Sequence, residues 1–288
     1  MPVVRIDLGR FAKMVSADRE TILDRLPFVG LDIEGVDAEH VRVEYSPNRP
    51  DLGSDYGIAR SLRGLLGKEL GIPRYHVSKS GIRMTADRRL SKVRPFIACA
   101  TIRGLKLNDE DIRQMVSLQE DLHNGLGRRR RTAAIGLHDL DSVKAPLSYR
   151  AVDSRFRFKP LGGVSDMSIE EILDRLPEGR AYGGSFTQSE LYPVIVDSAS
   201  TVLSFPPVIN GDATKVTQKT RNVFIDVTST DAKTGDDVLA VMATTLAEIG
   251  GEIGTVTVRE SKVSRITPDL SPNSLPLDLD LVRTLLGV

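Results

Sequence analysis

The chain has 288 residues, a length that suits two domains better than one. Its 39 basic residues balance 39 acidic ones, which argues against a protein that coats nucleic acid through its net charge. The single cysteine, Cys99, allows no internal disulfide, so a reducing cytoplasm is the expected location. No apolar run approaches the roughly 20 residues of a membrane span, and no cysteine or histidine spacing indicates a metal site.

Residues 1–80 are predicted to form a small α/β domain of strand–helix units. Apolar periodicity indicates a strand at 3–8, a helix at 11–26 and short strands between 29 and 43. Pro47 and Pro50 exclude both a helix and a central strand, so the segment around them must be a turn. Ser54 or Asp55 is then predicted to cap a helix that continues to Leu66.

The polar segment 76–93 is interpreted as a linker or an exposed hairpin. Residues 85–268 are predicted to form a larger mixed α+β domain, which makes α+β the expected fold class of the chain. Its predicted strands are 96–102, 133–137, 192–196, 223–227 and 254–260, and its predicted helices are 109–122, 168–176 and 236–249. Ser168, with Glu171 three residues later, has the spacing of a capping box.

The last residues repeat a pattern from the beginning of the chain. Leu277-Asp278-Leu279 and the apolar positions after it match Ile6-Asp7-Leu8 and the positions after those. Residues 269–288 are therefore expected to begin a further domain, and the chain is expected to be a piece of a longer protein.

Three stretches carry distinctive residue patterns. They are YSPNRPDL at 45–52 with GIAR at 57–60, LQEDLH at 118–123 with AIGLHDLD at 134–141, and YPVIVD at 192–197 with VLSFPPVIN at 202–210 and TRNVFIDVT at 220–228. In this order they resemble the amino-terminal half of the archaeal and eukaryal β subunit of phenylalanyl-tRNA synthetase. Because three long segments match collinearly, the resemblance is more specific than any one short motif.

The resemblance implies that residues 85–268 are an editing domain, which hydrolyses tyrosine from mischarged tRNA(Phe). It implies an α2β2 phenylalanine–tRNA ligase as the full enzyme, with an α subunit that uses ATP and Mg²⁺. No cofactor is expected in this part of the protein. The expected partners are the acceptor end of tRNA(Phe) and the α subunit.

Tyrosine differs from phenylalanine by one hydroxyl, so an editing pocket needs an apolar slot with a hydrogen-bond acceptor at its end. Asp226 is the candidate acceptor, because aspartate is unusual within a strand and costly to bury without a partner. The two-residue period of a strand places Asp226, Thr228 and Phe224 on one face. The alternative is a half-exposed strand whose polar face meets water. The family resemblance favours the pocket.

The resemblance also assigns Ser204 and Thr228 to the pocket. Ser204 would contact the amino group or the phenol, although a strand hydroxyl that bonds to nearby backbone is the alternative. Asn210 and Gly211 are candidates for a turn whose backbone approaches the ligand. Ile195 is a candidate for the apolar wall, and a plain core residue fits it equally well.

Two mechanisms of ester hydrolysis compete at the sequence level. A nucleophilic Ser204 is disfavoured, because no GxSxG elbow surrounds it and no histidine lies within twenty residues of it. Attack by a positioned water fits better, so no certain catalytic residue is assigned. His123 and His138 could still lie nearby. The preferred interpretation of His138 is a histidine that stabilises a turn after a strand.

The basic run at 128–131 is a candidate tRNA contact. Its members are Arg128, Arg129, Arg130 and Arg131, and a solvated turn is the alternative interpretation. The runner-up function for the whole chain is a non-catalytic module that binds tRNA or a partner. An enzyme acting on small molecules with a nucleotide cofactor is set aside, because the sequence contains no GxGxxG after a strand and no GxxxxGK[ST].

Overall fold

The computed structural model describes residues 2–186, 189–260 and 263–287. Its strands are β1 (Val3–Asp7), β2 (Leu31–Val36), β3 (His40–Tyr45), β4 (Val77–Ala86), β5 (Phe96–Arg103), β6 (Ala133–Asp139), β7 (Leu147–Val152), β8 (Arg157–Phe158), β9 (Met167–Ser168), β10 (Tyr192–Val196), β11 (Val202–Phe205), β12 (Ile209–Asn210), β13 (Val223–Ser229), β14 (Glu252–Glu260) and β15 (Val263–Thr267). Its α-helices are α1 (Leu8–Val15), α2 (Arg19–Arg25), α3 (Asp55–Leu65), α4 (Asp109–Asn124), α5 (Ile169–Arg175), α6 (Pro177–Tyr182), α7 (Ala232–Glu248) and α8 (Leu279–Leu286). The predicted α+β class is confirmed.

The first unit is a three-stranded antiparallel sheet, in the order β1–β3–β2, that packs against α1 and α3. The single helix predicted at 11–26 is wrong. It is two helices, because Ser16 adopts a left-handed conformation (φ 51°) that ends α1, and Asp18 then caps α2. The predicted cap at Ser54 is confirmed, since its side chain accepts a hydrogen bond from the Gly57 amide.

The second unit is built on a ten-stranded sheet whose main path is β12–β11–β10–β7–β4–β14–β5–β13–β6, with β15 paired to β14. The interpretation of 76–93 as a linker or hairpin is wrong, because β4 lies in the middle of this sheet, parallel to β14 and β7. Its inward side chains Ile82, Met84 and Ala86 are buried, and its outward ones are polar. The predicted division at 1–80, 85–268 and 269–288 leaves out residues 81–84, which lie within β4.

Two helices, α4 and α7, and the α5–α6 segment pack against this sheet. α4 and α7 cover one side and bury a core of aliphatic residues against β5, β6 and β13. The α5–α6 segment packs against β10 and β11 through a second cluster that includes Phe186 and Phe205. α5 begins with the predicted Ser168–Glu171 capping box. α7 begins at Ala232, earlier than predicted, because Asp231 accepts from the Thr234 amide and caps it.

The tail repeats the opening of the chain only in its helix. Asp278 caps α8 as Asp7 caps α1, and both helices have eight residues. No side chain of α8 is buried, whereas α1 buries Leu8, Phe11 and Val15. Within the described residues, no helix is long and apolar enough to cross a membrane.

Candidate functional site

A cavity of about 310 Å³ opens between α4, β6, the β11–β12 hairpin, β13 and α6. This volume lies at the lower end of the range for small-molecule sites, roughly 300–1,000 Å³. The lining residues combine a short apolar wall with acidic, basic and amide groups. They are Val116, Gln119, Glu120, His123, Arg130, Ala134, Ile135, Gly136, Leu161, Glu178, Ser204, Pro206, Pro207, Val208, Ile209, Asn210 and Asp226.

Asp226 lies in the middle of β13, at the inner wall of the cavity, and is 1% exposed. Its Oδ1 accepts a hydrogen bond from His138 Nε2 at 2.8 Å. His138 Nδ1 lies 2.9 Å from Thr214 Oγ1, so the neutral ring can donate to Asp226 and accept from the threonine hydroxyl. Asp226 Oδ2 is buried and has no hydrogen-bond partner among the residues that the structure describes. Burying a carboxylate oxygen without a hydrogen-bond donor lowers the stability of the fold, unless a bound ligand supplies the donor.

Gly136 provides the space for this arrangement. It faces Asp226 across the β6–β13 ladder. A Cβ atom at this position would lie 2.3 Å from Asp226 Oδ1 and 2.6 Å from His138 Nε2. Any larger residue would therefore displace the carboxylate or the imidazole.

Ser204 and Asn210 form a second polar pair on the cavity wall, as direct neighbours across the β11–β12 ladder. Ser204 is 2% exposed, and within the described ranges its Oγ has no hydrogen-bond partner. Pro206, Pro207 and Val208 continue the same wall as an apolar turn, closed by the Val208 amide donating to the Phe205 carbonyl at 2.8 Å. The cavity thus has two unpartnered buried oxygens, Ser204 Oγ and Asp226 Oδ2.

The predicted basic loop divides into an inward and an outward part. Arg128, Arg129 and Arg130 all have positive φ, and this left-handed turn directs Arg130 into the cavity. Arg130 forms a 2.8 Å ion pair with Glu120, stacks over the Tyr182 ring at 4.3 Å, and leaves its Nε unpartnered. Arg130 therefore lies on the cavity wall, whereas Arg128, Arg129 and Arg131 are exposed.

His123 and Glu120 support Arg130 from α4. His123 Nε2 accepts from the Ile135 amide at 2.9 Å, so the proton of the neutral ring is on Nδ1, 3.2 Å from Glu120 Oε1. Burial lowers the pKa of His123, which agrees with a neutral ring. The hydrogen bond from His123, together with the charge of Arg130, lowers the pKa of Glu120 to about 2.

Neither histidine activates Ser204. Both ring nitrogens of His123 and of His138 have other partners, and Ser204 Oγ has none. The geometry therefore contains no serine–histidine pair, in agreement with the preference for a water-based mechanism. The interpretation of His138 as a turn-stabilising residue is wrong, because it lies within β6 and is fully buried.

Three residues assigned to the pocket from the sequence do not line the cavity. Thr228 Oγ1 accepts from Arg94 Nε at 2.8 Å, behind the cavity wall. Ile195 is fully buried in the core beneath the sheet. Gly211 packs its backbone against β11, with its amide donating to the Leu203 carbonyl at 2.7 Å. Of the six predicted pocket residues, the cavity brings together Ser204, Asn210 and Asp226.

Two lining residues of α4, Gln119 and Glu120, were not predicted from the sequence. Gln119 and His123 lie four residues apart on one face of α4, and Glu120 lies beside them. All three belong to the LQEDLH segment, whose family pattern is a signal that could have identified them. In the described ranges, no cluster of three or more His, Cys, Asp or Glu residues is placed to hold a metal ion.

Comparisons with known proteins first identify the domain family of the cavity region and the relatives of the whole chain. Residues 106–237, which contribute most of the cavity, match the B3/4 domain family. The chain is 44% identical over its full length to the phenylalanine–tRNA ligase β subunit of Archaeoglobus fulgidus and 45% identical to that of Methanothrix thermoacetophila, covering 52% and 53% of them. The chain thus spans about half the length of these curated relatives.

A solved structure gives the particular family. An amino-terminal fragment of the phenylalanyl-tRNA synthetase β subunit from Pyrococcus horikoshii superposes with a TM-score of 0.96 at 36% identity. The match covers all of this chain and 85% of that one. The chain belongs to the phenylalanyl-tRNA synthetase β-subunit family, of the archaeal type, and corresponds to its amino-terminal region.

Proposed function

We propose that the cavity hydrolyses the ester of tyrosine wrongly attached to tRNA(Phe). The relatives are β subunits of phenylalanine–tRNA ligases, so we propose that this chain works in such an enzyme, together with an α subunit, in the cytoplasm. ATP and Mg²⁺ would then be used for aminoacylation at a site outside this chain. The cavity would serve as the second, hydrolytic filter.

The observation that carries the proposal is the unpartnered Oδ2 of Asp226 at the inner wall of the cavity. A tyrosine phenol would donate to this oxygen, while Oδ1 stays bonded to His138. Phenylalanine would leave the oxygen buried without a partner. A hydrogen bond to a charged group contributes about 1.5–3 kcal/mol, which is enough to prefer tyrosine by one to two orders of magnitude.

The chemical step would be attack by water on the ester carbonyl. The water oxygen bonds to the carbonyl carbon, the bond from that carbon to the ribose oxygen breaks, and a proton passes to the ribose oxygen. Ser204 and Asn210 would orient the amino-acid backbone from the β11–β12 wall. The protein would supply placement and hydrogen bonds, without a covalent acyl intermediate on serine.

Asp226→Ala in the complete enzyme tests this function. Hydrolysis of tyrosyl-tRNA(Phe) should fall by about 10- to 150-fold, the equivalent of the 1.5–3 kcal/mol lost with the phenol hydrogen bond. Phenylalanine-dependent aminoacylation by the same preparation is the control and should be unchanged. Undiminished tyrosyl-tRNA hydrolysis would exclude Asp226 as the discriminating group. Absent hydrolysis in the wild-type enzyme would favour the non-catalytic binding module.

The approach of the tRNA would involve the exposed arginines. Arg128, Arg129 and Arg131 are exposed on the turn that carries Arg130 into the cavity. Phosphates near the acceptor end would lie next to this turn when the terminal adenosine reaches the site. These three arginines, without Arg130, remain the proposed tRNA contact.

A further inference from the structure

Arg94 is a buried charge outside the cavity, located in the segment before β5. It is 2% exposed, and its three described hydrogen bonds all go to uncharged oxygens. Nε donates to Thr228 Oγ1 at 2.8 Å, one terminal nitrogen to the Thr228 carbonyl at 2.6 Å, and the other to the Arg131 carbonyl at 3.1 Å. A guanidinium is costly to bury without a counter-charge, so its position requires an explanation.

The counter-charge is two residues away along β13. Thr228 and Asp226 project from the same face of this strand, about 7 Å apart along it. Burial lowers the pKa of Arg94 to about 10, and the charges of Tyr149 and Asp226 oppose that change. Arg94 therefore stays charged at neutral pH, on the side of Thr228 away from the cavity.

The other titratable groups around Asp226 lie on β6, β5 and β7. His138 on β6 bonds to Asp226 and to Thr214, and Cys99 on β5 is the neighbour of Asp226 across the ladder. Burial raises the pKa of the Cys99 thiol, and burial likewise raises that of Tyr149 on β7, so both are neutral at neutral pH. Across the cavity, Arg130 is already paired with Glu120, and burial keeps His123 neutral.

We propose that Arg94 is a positioning residue for the editing reaction, and this inference rests on the proposed function. Its positive charge attracts the Asp226 carboxylate from beyond Thr228, and so helps to fix the acceptor that a phenol would meet. Its hydrogen bonds also fix two parts of the site. They hold β13 at Thr228, and they hold the arginine turn at Arg131, next to the residue that enters the cavity.

The test measures tyrosine and phenylalanine binding to the 288-residue chain by calorimetry at pH 7. Arg94→Met removes the charge that acts on Asp226, so the preference for tyrosine over phenylalanine should fall by about tenfold or more. Arg94→Lys keeps the charge and should keep most of the wild-type preference. Arg265→Met removes another strand-bridging guanidinium, which pairs with Asp236 away from the cavity, and is the control.

The outcomes separate this inference from the proposed function. Equal binding of tyrosine and phenylalanine by the wild type would contradict the proposed function itself. If the wild type prefers tyrosine while Arg94→Met and Arg94→Lys lose that preference equally, Arg94 only supports the fold and the inference fails.

A second measurement covers the case in which Arg94→Met does not fold. Adding Asp226→Asn removes the carboxylate that lacks its counter-charge, so the double variant should regain folding or a higher melting temperature than Arg94→Met alone. No recovery in the double variant would overturn the inference.

Discussion

Asp55 and Asp226 are two carboxylates that are equally buried, each at 1% exposure, in very different surroundings. Asp55 lies at the start of α3, where the first unit meets α4, and its Oδ2 is 3.4 Å from Arg10, which also pairs with Asp111. Asp226 has a histidine, His138, as its direct partner. Each leaves one oxygen without a hydrogen bond, but only Asp226 borders the 310 Å³ cavity.

The comparison shows that burial of an unsatisfied carboxylate does not by itself indicate a binding site. Arg10, Tyr56 and Gln114 pack around Asp55, which does not line the cavity, so the free-energy cost of its unbonded oxygen falls on stability. At Asp226, the oxygen without a hydrogen bond borders the open cavity. We expect the free-energy cost of burying this oxygen to be offset when a donor from the substrate binds to it.

The largest effect should come from closing the space beside Asp226. Gly136→Ala places a methyl group 2.3 Å from Asp226 Oδ1, so tyrosine binding and tyrosyl-tRNA hydrolysis should both become unmeasurable. Overpacking of this kind should also lower the free energy of unfolding by about 1–3 kcal/mol. Gly35→Ala on β2 is the matched control, since its Cβ would meet nothing within 4 Å. Retained tyrosine binding in Gly136→Ala would show that the carboxylate position is unimportant.

Asp55 should make the free energy of unfolding depend on pH. Burial raises the pKa of Asp55 to about 6, and Arg10 opposes this only in part. A raised pKa in the folded state favours the protonated form, so the contribution of Asp55 to stability is present below about pH 4 and is lost as the pH rises through 6. Asp55→Asn should therefore gain stability relative to the wild type between pH 4 and pH 7, by up to about 3 kcal/mol.

Urea unfolding of wild type and Asp55→Asn across this pH range measures the difference. A difference that does not change with pH would mean that Arg10 fully compensates the charge of Asp55. The contrast between the two carboxylates would then have to rest on the cavity alone.

The smallest effect concerns Ser204. Because its hydroxyl has no partner, Ser204→Ala should leave the free energy of unfolding unchanged or raise it by up to about 1 kcal/mol. Tyrosyl-tRNA hydrolysis should nevertheless fall by about 10-fold or less, the value of one neutral hydrogen bond to substrate. Thr214→Val is the contrasting variant, because the Thr214 hydroxyl bonds to His138. Removing this hydroxyl should lower the free energy of unfolding by about 1 kcal/mol. Lower stability of Ser204→Ala with unchanged tyrosyl-tRNA hydrolysis would show that Ser204 has a structural role.

Local patterns predicted three helices of the larger unit, α4, α5 and α7, and five of its strands, β5, β6, β10, β13 and β14, because their apolar periodicity and caps are encoded within each segment. The central strand β4 was missed because its outward side chains are polar, although Ile82, Met84 and Ala86 alternate as a strand requires. The break at Ser16 depends on a left-handed residue, which periodicity does not indicate.

The site could be predicted only where one strand carries the information. The two-residue period correctly placed Asp226 and Thr228 on one face of β13. It could not show that Arg94, from a distant segment, occupies the space beside Thr228, or that the β6–β13 register brings Gly136 and His138 to Asp226. Such contacts depend on long-range pairing, which a single sequence does not reveal.

A crystal structure of the chain with bound tyrosine tests the central claim most directly. The account predicts the ring within the cavity and the phenol oxygen about 2.5–2.7 Å from Asp226 Oδ2, the distance of an O–H···O⁻ hydrogen bond. The bond between Asp226 Oδ1 and His138 should be retained. Tyrosine bound outside the cavity, or bound within it with the phenol directed away from Asp226, would contradict the account.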